Sequence, residues 1–80
     1  MMPASDVGMG AGVGNGIENY IRRLRFEHGE MTQQQLAERA GITRQTVIAL
    51  ESGRYAPSLL LAMRIARVFD AKVEDVFKID

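Results

Sequence analysis

The stretch TQQQLAERAGITRQTVIALESG, residues 32–53, limits what this chain can become more than any other segment does. A threonine opens each of two short runs and a glycine closes each. Thr32 is an N-cap residue, whose hydroxyl can accept a hydrogen bond from a first-turn amide that has no partner within the helix. Gly41 supplies the left-handed residue on which helices commonly end. Between them Leu36, Ala37 and Ala40 recur at helical spacing and face inward. Thr43 repeats the cap after a turn of only three residues, Ala40-Gly41-Ile42, and a second helix runs on to Gly53.

The flanking sequence offers more helices of the same kind. An apolar stripe of Ile17, Ile21 and Leu24, with Tyr20 beside it, follows Asn15, and Asn15 and Glu18 have capping-box spacing. Gly29 is a natural stop. After the loop RYAP, Pro57 suits the first turn of a fourth helix, where a missing amide costs nothing. That helix carries Leu59, Ala62, Met63, Ile65, Ala66 and Phe69. A last turn, VEDVF, places Glu74 and Asp75 near a helix amino end, where the dipole favours acids. No strand pattern is present. The expected fold is all-α, a compact bundle of five short helices over residues 17–80. Residues 1–16, MMPASDVGMGAGVGNG, differ in kind. Glycine at 8, 10, 12, 14 and 16 adds backbone entropy that folding must remove, so a disordered arm is expected there. The arm meets neither nucleotide-binding fingerprint, since no strand precedes it and no Gly-Lys-Ser/Thr follows.

The two central helices form a helix-turn-helix unit. On the second of them Val47 and Leu50 point to the core, so Arg44, Gln45, Ile48, Ala49 and Ser52 look outward. Its first turn therefore presents Thr43, Arg44, Gln45 and Thr46. Arginine can donate two hydrogen bonds to guanine O6 and N7, and glutamine pairs similarly with adenine N6 and N7. A recognition helix carries such residues at its amino-terminal end, where it enters the major groove. Glu51 lies on the inward side, where a lone carboxylate is costly. Arg25, one turn after Ile21, is its expected partner.

Composition bounds the rest. Eighty residues make one small domain that buries only about 60% of its unfolded surface. Without cysteine there is no disulfide or thiolate metal site, which fits a reducing cytoplasm. No apolar run reaches the roughly 20 residues of a membrane span. Ten basic and ten acidic residues cancel, so charge announces no nucleic-acid partner and the case rests on placement. No nucleophile–base constellation is present, and an enzyme is not expected. His28, the lone histidine, has no second ligand for a metal and gains from a helix carboxyl end. Arg22, Arg23 and Arg39 read as solvent-facing charges.

RFEHGEMTQQQLAERAGITRQTVIALESGRYAPSLLLAMRIARVFDAKVEDVF resembles the phage-repressor and Cro-like (Xre-type) family of helix-turn-helix regulators. The likeness spans about residues 18–77 and is closest to short one-domain members with TQxxLAxxxGxxRQT, ExGxxxPSL and IAxxF. It implies that Gln33 touches phosphate and braces the first reader, and that Arg44 and Gln45 are the main base readers. Thr43 and Thr46 would meet phosphate or thymine methyl, Ser52 and Arg54 would grip the backbone, and the Arg25–Glu51 pair is supported. Several positions depart from the pattern. Ala49 stands where a polar residue is frequent, Leu60 where a charge is common, and Asp70 where glycine is common. Ile48 is greasier than the usual occupant, and either presses a thymine methyl or is a tolerated surface residue.

The resulting expectation is a sequence-specific, double-stranded-DNA-binding transcriptional regulator, a repressor, with no cofactor and no small-molecule effector. Leu60, Leu61 and Met63 exceed what one stripe can bury. Either they pack under the last helix or they form a dimer contact, and a homodimer reading an inverted repeat is preferred because one module makes few base contacts. A rival of another class is a protein-interaction module, such as an antitoxin that binds a toxin through its C-terminal helices.

Overall fold

Thr32 and Thr43 each start a helix through their hydroxyls. In the computed structural model, which describes residues 16–79, the Thr32 hydroxyl accepts from the Gln35 amide at 3.0 Å. The Gln35 side-chain oxygen accepts from the Thr32 amide at 2.9 Å, which closes a capping box. Helix α2 runs Gln33–Ala40 and ends on Gly41 at φ 74°. A methyl group there would come no closer than 3.8 Å to Arg64 Nη1, so the left-handed backbone, not crowding, asks for glycine. Helix α3, Arg44–Glu51, begins where the Thr43 hydroxyl accepts from the Thr46 amide at 3.1 Å.

The chain ahead of this unit departs from the expected first helix. Ile17–Asn19 is a strand, β1, and helix α1 occupies only Ile21–Glu27. The cap expected at Asn15 lies outside the described residues, as does the arm expected over residues 1–16 apart from Gly16. Asn19 does the capping work instead. Its side-chain oxygen accepts from the Ile21 amide at 3.2 Å, and its amide donates to the Leu50 carbonyl at 2.9 Å. The partner of β1 is β2, Phe77–Ile79, in antiparallel register Ile17↔Ile79, Glu18↔Lys78, Asn19↔Phe77. A local period cannot reveal a strand whose hydrogen bonds go to the other end of the chain. At the junction the Tyr20 hydroxyl donates to the Glu18 carboxylate, and that bond, with some burial, raises the phenol above its ordinary pKa.

Helix α4, Leu59–Val68, starts two residues later than proline placement suggests. Ser58 is its cap, accepting from the Leu61 amide at 3.1 Å, and Pro57 precedes the cap. The buried face of α4 is Leu61, Ala62, Ile65 and Ala66, so the expected stripe is corrected at Leu59 and Met63, which face outward. Asp70 follows at φ 52°, a left-handed position that a short polar side chain tolerates. The short α5, Val73–Val76, leads directly into β2.

Among the described residues five helices thus pack around Ile21, Leu36, Val47, Leu50, Ile65 and Val76, with the small two-stranded sheet joining Ile17–Asn19 to Phe77–Ile79. His28 caps α1 and sets its ring nitrogens against the carbonyl oxygens of Leu24 (2.8 Å) and Phe69 (3.2 Å), tying the ends of α1 and α4. Among the described residues no helix is long and apolar enough to cross a membrane, and no group of acids and histidine is placed to hold a metal ion.

Candidate nucleic-acid interface

The outward end of α3 is built from its own cap. Thr43 and Thr46 place their hydroxyl oxygens 3.0 Å apart while Thr43 holds the Thr46 amide, so the first turn is rigid before anything binds. Arg44 and Gln45, next to that cap, are exposed. Neither guanidinium nor amide is tied to another residue of the described chain, which leaves their donors and acceptors available. Val47 and Leu50, on the opposite side, are sealed in the core and fix which way the readers point.

Behind them Glu51 is a hub. Its carboxylate accepts from Arg25 Nε at 2.6 Å and Nη2 at 3.1 Å, a bidentate pair with side chains only 10% and 14% exposed for acid and base. Arg25 Nη1 also donates to the Met31 carbonyl at 2.8 Å, while the Met31 amide returns a bond to the Arg25 carbonyl at 2.8 Å. Gln33 completes the network by donating to Glu51 Oε1 at 3.2 Å. One carboxylate on α3 therefore gathers α1 and the first residue of α2, and fixes the tilt of α3 against both.

This arrangement opens on a groove of about 580 Å³ at the amino end of α2, lined by Arg25, Thr32, Gln33, Gln34 and Arg44. A helix amino terminus with a nearby guanidinium favours an anion. Gln33 and Arg44 both line this groove, and the Gln33 side-chain amide donates to Glu51, not to Arg44.

Ser52 and Arg54 sit together at the other end of α3. Ser52 Oγ donates to the Ala49 carbonyl at 3.1 Å and accepts from Arg54 Nε at 3.0 Å, so the hydroxyl is engaged within the protein. The Arg54 terminal nitrogens remain for an external partner. The expected dimer contact needs one correction. Leu61 is 8% exposed and belongs to the core, because α4 turns that side toward the rest of the bundle. Leu60 and Met63, 61% and 53% exposed, lie on its outward face with Leu59.

Sequence reasoning missed Asn19, buried to 4% exposure, and the Gln33–Glu51 bond. An asparagine two residues before Ile21, the first residue of α1, is a signal for the first. The second had none, since Gln33, Gln34 and Gln35 look alike in the sequence.

A model of the helix-turn-helix family matches residues 17–76. Over 65 residues the chain is 59% identical to an uncharacterised HTH-type transcriptional regulator of Methanothermobacter thermautotrophicus, covering 80% of this chain and 93% of that protein. It is 49% identical over 61 residues to a Bacillus subtilis regulator of the same description, covering 76% and 91%. A crystal structure of a candidate DNA-binding protein from Bacteroides fragilis shares the fold at TM-score 0.66 and 21% identity, over 78% of this chain and 98% of that one. With the capped helix pair, the buried Arg25–Glu51 brace and a family match over three quarters of its length, the chain belongs to the Cro/C1-type, Xre-like family of helix-turn-helix regulators.

Proposed function

We propose that this protein is a sequence-specific, double-stranded-DNA-binding transcriptional regulator that reads the major groove with α3. The observation that carries the reading is the exposed, untied Arg44–Gln45 pair on a rigidly capped first turn. In this reading Arg44 takes guanine and Gln45 adenine, and Thr43 and Thr46 lie against phosphate or thymine methyl. Gln33 and the α2 amino terminus hold one phosphate, and Arg54, positioned by Ser52, holds another. Base contacts from one eight-residue helix are few. The outward Leu60 and Met63 support a homodimer, whose two modules would address half-sites about 34 Å apart on an inverted repeat. Occupying such an operator makes repression the simplest outcome.

Selection of bound duplexes from a random pool tests this directly. A recovered inverted repeat containing guanine and adenine in each half-site is the expected result. Recovery of no preferred sequence, at a salt concentration where binding persists, would refute it. The rival protein-interaction role draws on the same apolar face of α4, and is favoured instead if the purified chain is monomeric and acquires order or affinity only with a co-encoded protein.

A further inference from the structure

Ile48 is an apolar side chain that lies outside the hydrophobic core. It is half-buried, yet it stands apart from the hydrophobic residues packed against the core. On α3 it lies one turn beyond Arg44 and beside Ala49, on the outward side that carries both readers. The nearest polar side chain farther along, Ser52, has turned its hydroxyl to the Ala49 carbonyl and to Arg54. The middle of the reading face is therefore an apolar spot, Ile48 and Ala49, framed by polar groups at each end.

In the major groove only one base-pair group suits such a spot. The C5-methyl of thymine is apolar, whereas cytosine presents an amino donor and the purines present N7 and O6 or N6. Isoleucine laid against any of those would strip water from a polar group without replacing the bond. A β-branched side chain in a helix is also held largely to one χ1 rotamer, so little order is lost when it makes contact. One helical turn advances about 5.4 Å, roughly one and a half base-pair steps of 3.4 Å.

We propose that Ile48, with Ala49 beside it, is a specificity residue that reads the methyl group of a thymine within one or two base pairs of the guanine taken by Arg44. This rests on the assignment of α3 as the DNA-reading helix, and it adds the chemistry of a third base position to that assignment.

The test uses the full chain and its selected duplex, with each thymine of the half-site replaced in turn by deoxyuridine, which differs only in lacking the methyl. At fixed salt, wild type should lose about four-fold in affinity at one position. That factor is ~0.8 kcal/mol for one buried carbon, converted at about 1.4 kcal/mol per tenfold. Ile48→Ala should bind thymine and uracil duplexes alike, and Ile48→Val should keep most of the difference. Because Ile48 is not packed against the core, Ile48→Ala should melt close to wild type. Equal binding of thymine and uracil duplexes by wild type, with guanine and adenine discrimination intact, overturns this proposal alone. A difference that survives in Ile48→Ala also overturns it. Loss of all sequence discrimination in wild type overturns the DNA-reading assignment itself.

Discussion

Replacing Arg25 by alanine is the severest single test of how this domain holds its reading helix. The change removes both bonds to Glu51 and the bond to the Met31 carbonyl. Glu51, 10% exposed, would keep only the Gln33 amide at 3.2 Å. Breaking a buried pair from one side typically costs about 3–5 kcal/mol, because the remaining charge is neither solvated nor paired. A domain this small stands on roughly 5–15 kcal/mol in total. With about 1 kcal/mol per molar urea for a small domain, the midpoint should fall by roughly 3–5 M. Urea titration followed by far-ultraviolet circular dichroism measures it. Arg25→Lys should fall in between, since an ammonium cannot span both carboxylate oxygens and the carbonyl together. Arg25→Met with Glu51→Met should recover most of the loss, because an apolar pair of similar volume leaves no buried charge. A loss below about 1 kcal/mol for Arg25→Ala would mean the pair behaves like a surface bridge. A double variant as unstable as the sum of its singles would equally refute the reasoning.

Other consequences are independent of that network. Arg44→Ala and Gln45→Ala should each cost about 1–3 kcal/mol against the selected site and relax discrimination at one base pair, measured by competition at fixed salt. Arg54→Ala should weaken all sequences alike and flatten the slope of log affinity against log salt by about one, seen in a salt titration. Asn19→Ala should lower stability by about 1–2 kcal/mol through two lost hydrogen bonds, read from the thermal or urea midpoint. Leu60→Glu and Met63→Glu should leave the melting temperature nearly unchanged while shifting sedimentation toward monomer. A dimer that survives both changes would remove α4 from the interface.

The helix-turn-helix unit was legible because its determinants are local. Thr32, Gly41 and Thr43 act on amides and torsions within one turn of themselves, and the helical period of Leu36, Ala37, Val47 and Leu50 states which faces are buried. Arg25 with Glu51 was legible for a different reason. A carboxylate on a buried face demands a cation, and few cations lay at a compatible helical phase. The sequence by itself therefore determined the central motif, the five helices and the end of α3 that faces outward.

What only tertiary structure decided depends on partners far away in the chain. The residues around Ile17 read as helix until Phe77–Ile79 offers them a ladder of hydrogen bonds, and Asn19 becomes a cap only because Leu50 brings its carbonyl within reach. On α4, Leu59, Leu60, Leu61 and Met63 are alike in hydropathy, so the stripe that is buried depends on the tilt of the helix against α2 and α5, not on composition. The bond from Gln33 to Glu51 was decided in the same way, by where Glu51 came to lie. Local torsions and periods set the helices, while long-range contacts made the strand pair and chose among faces that those periods left equivalent.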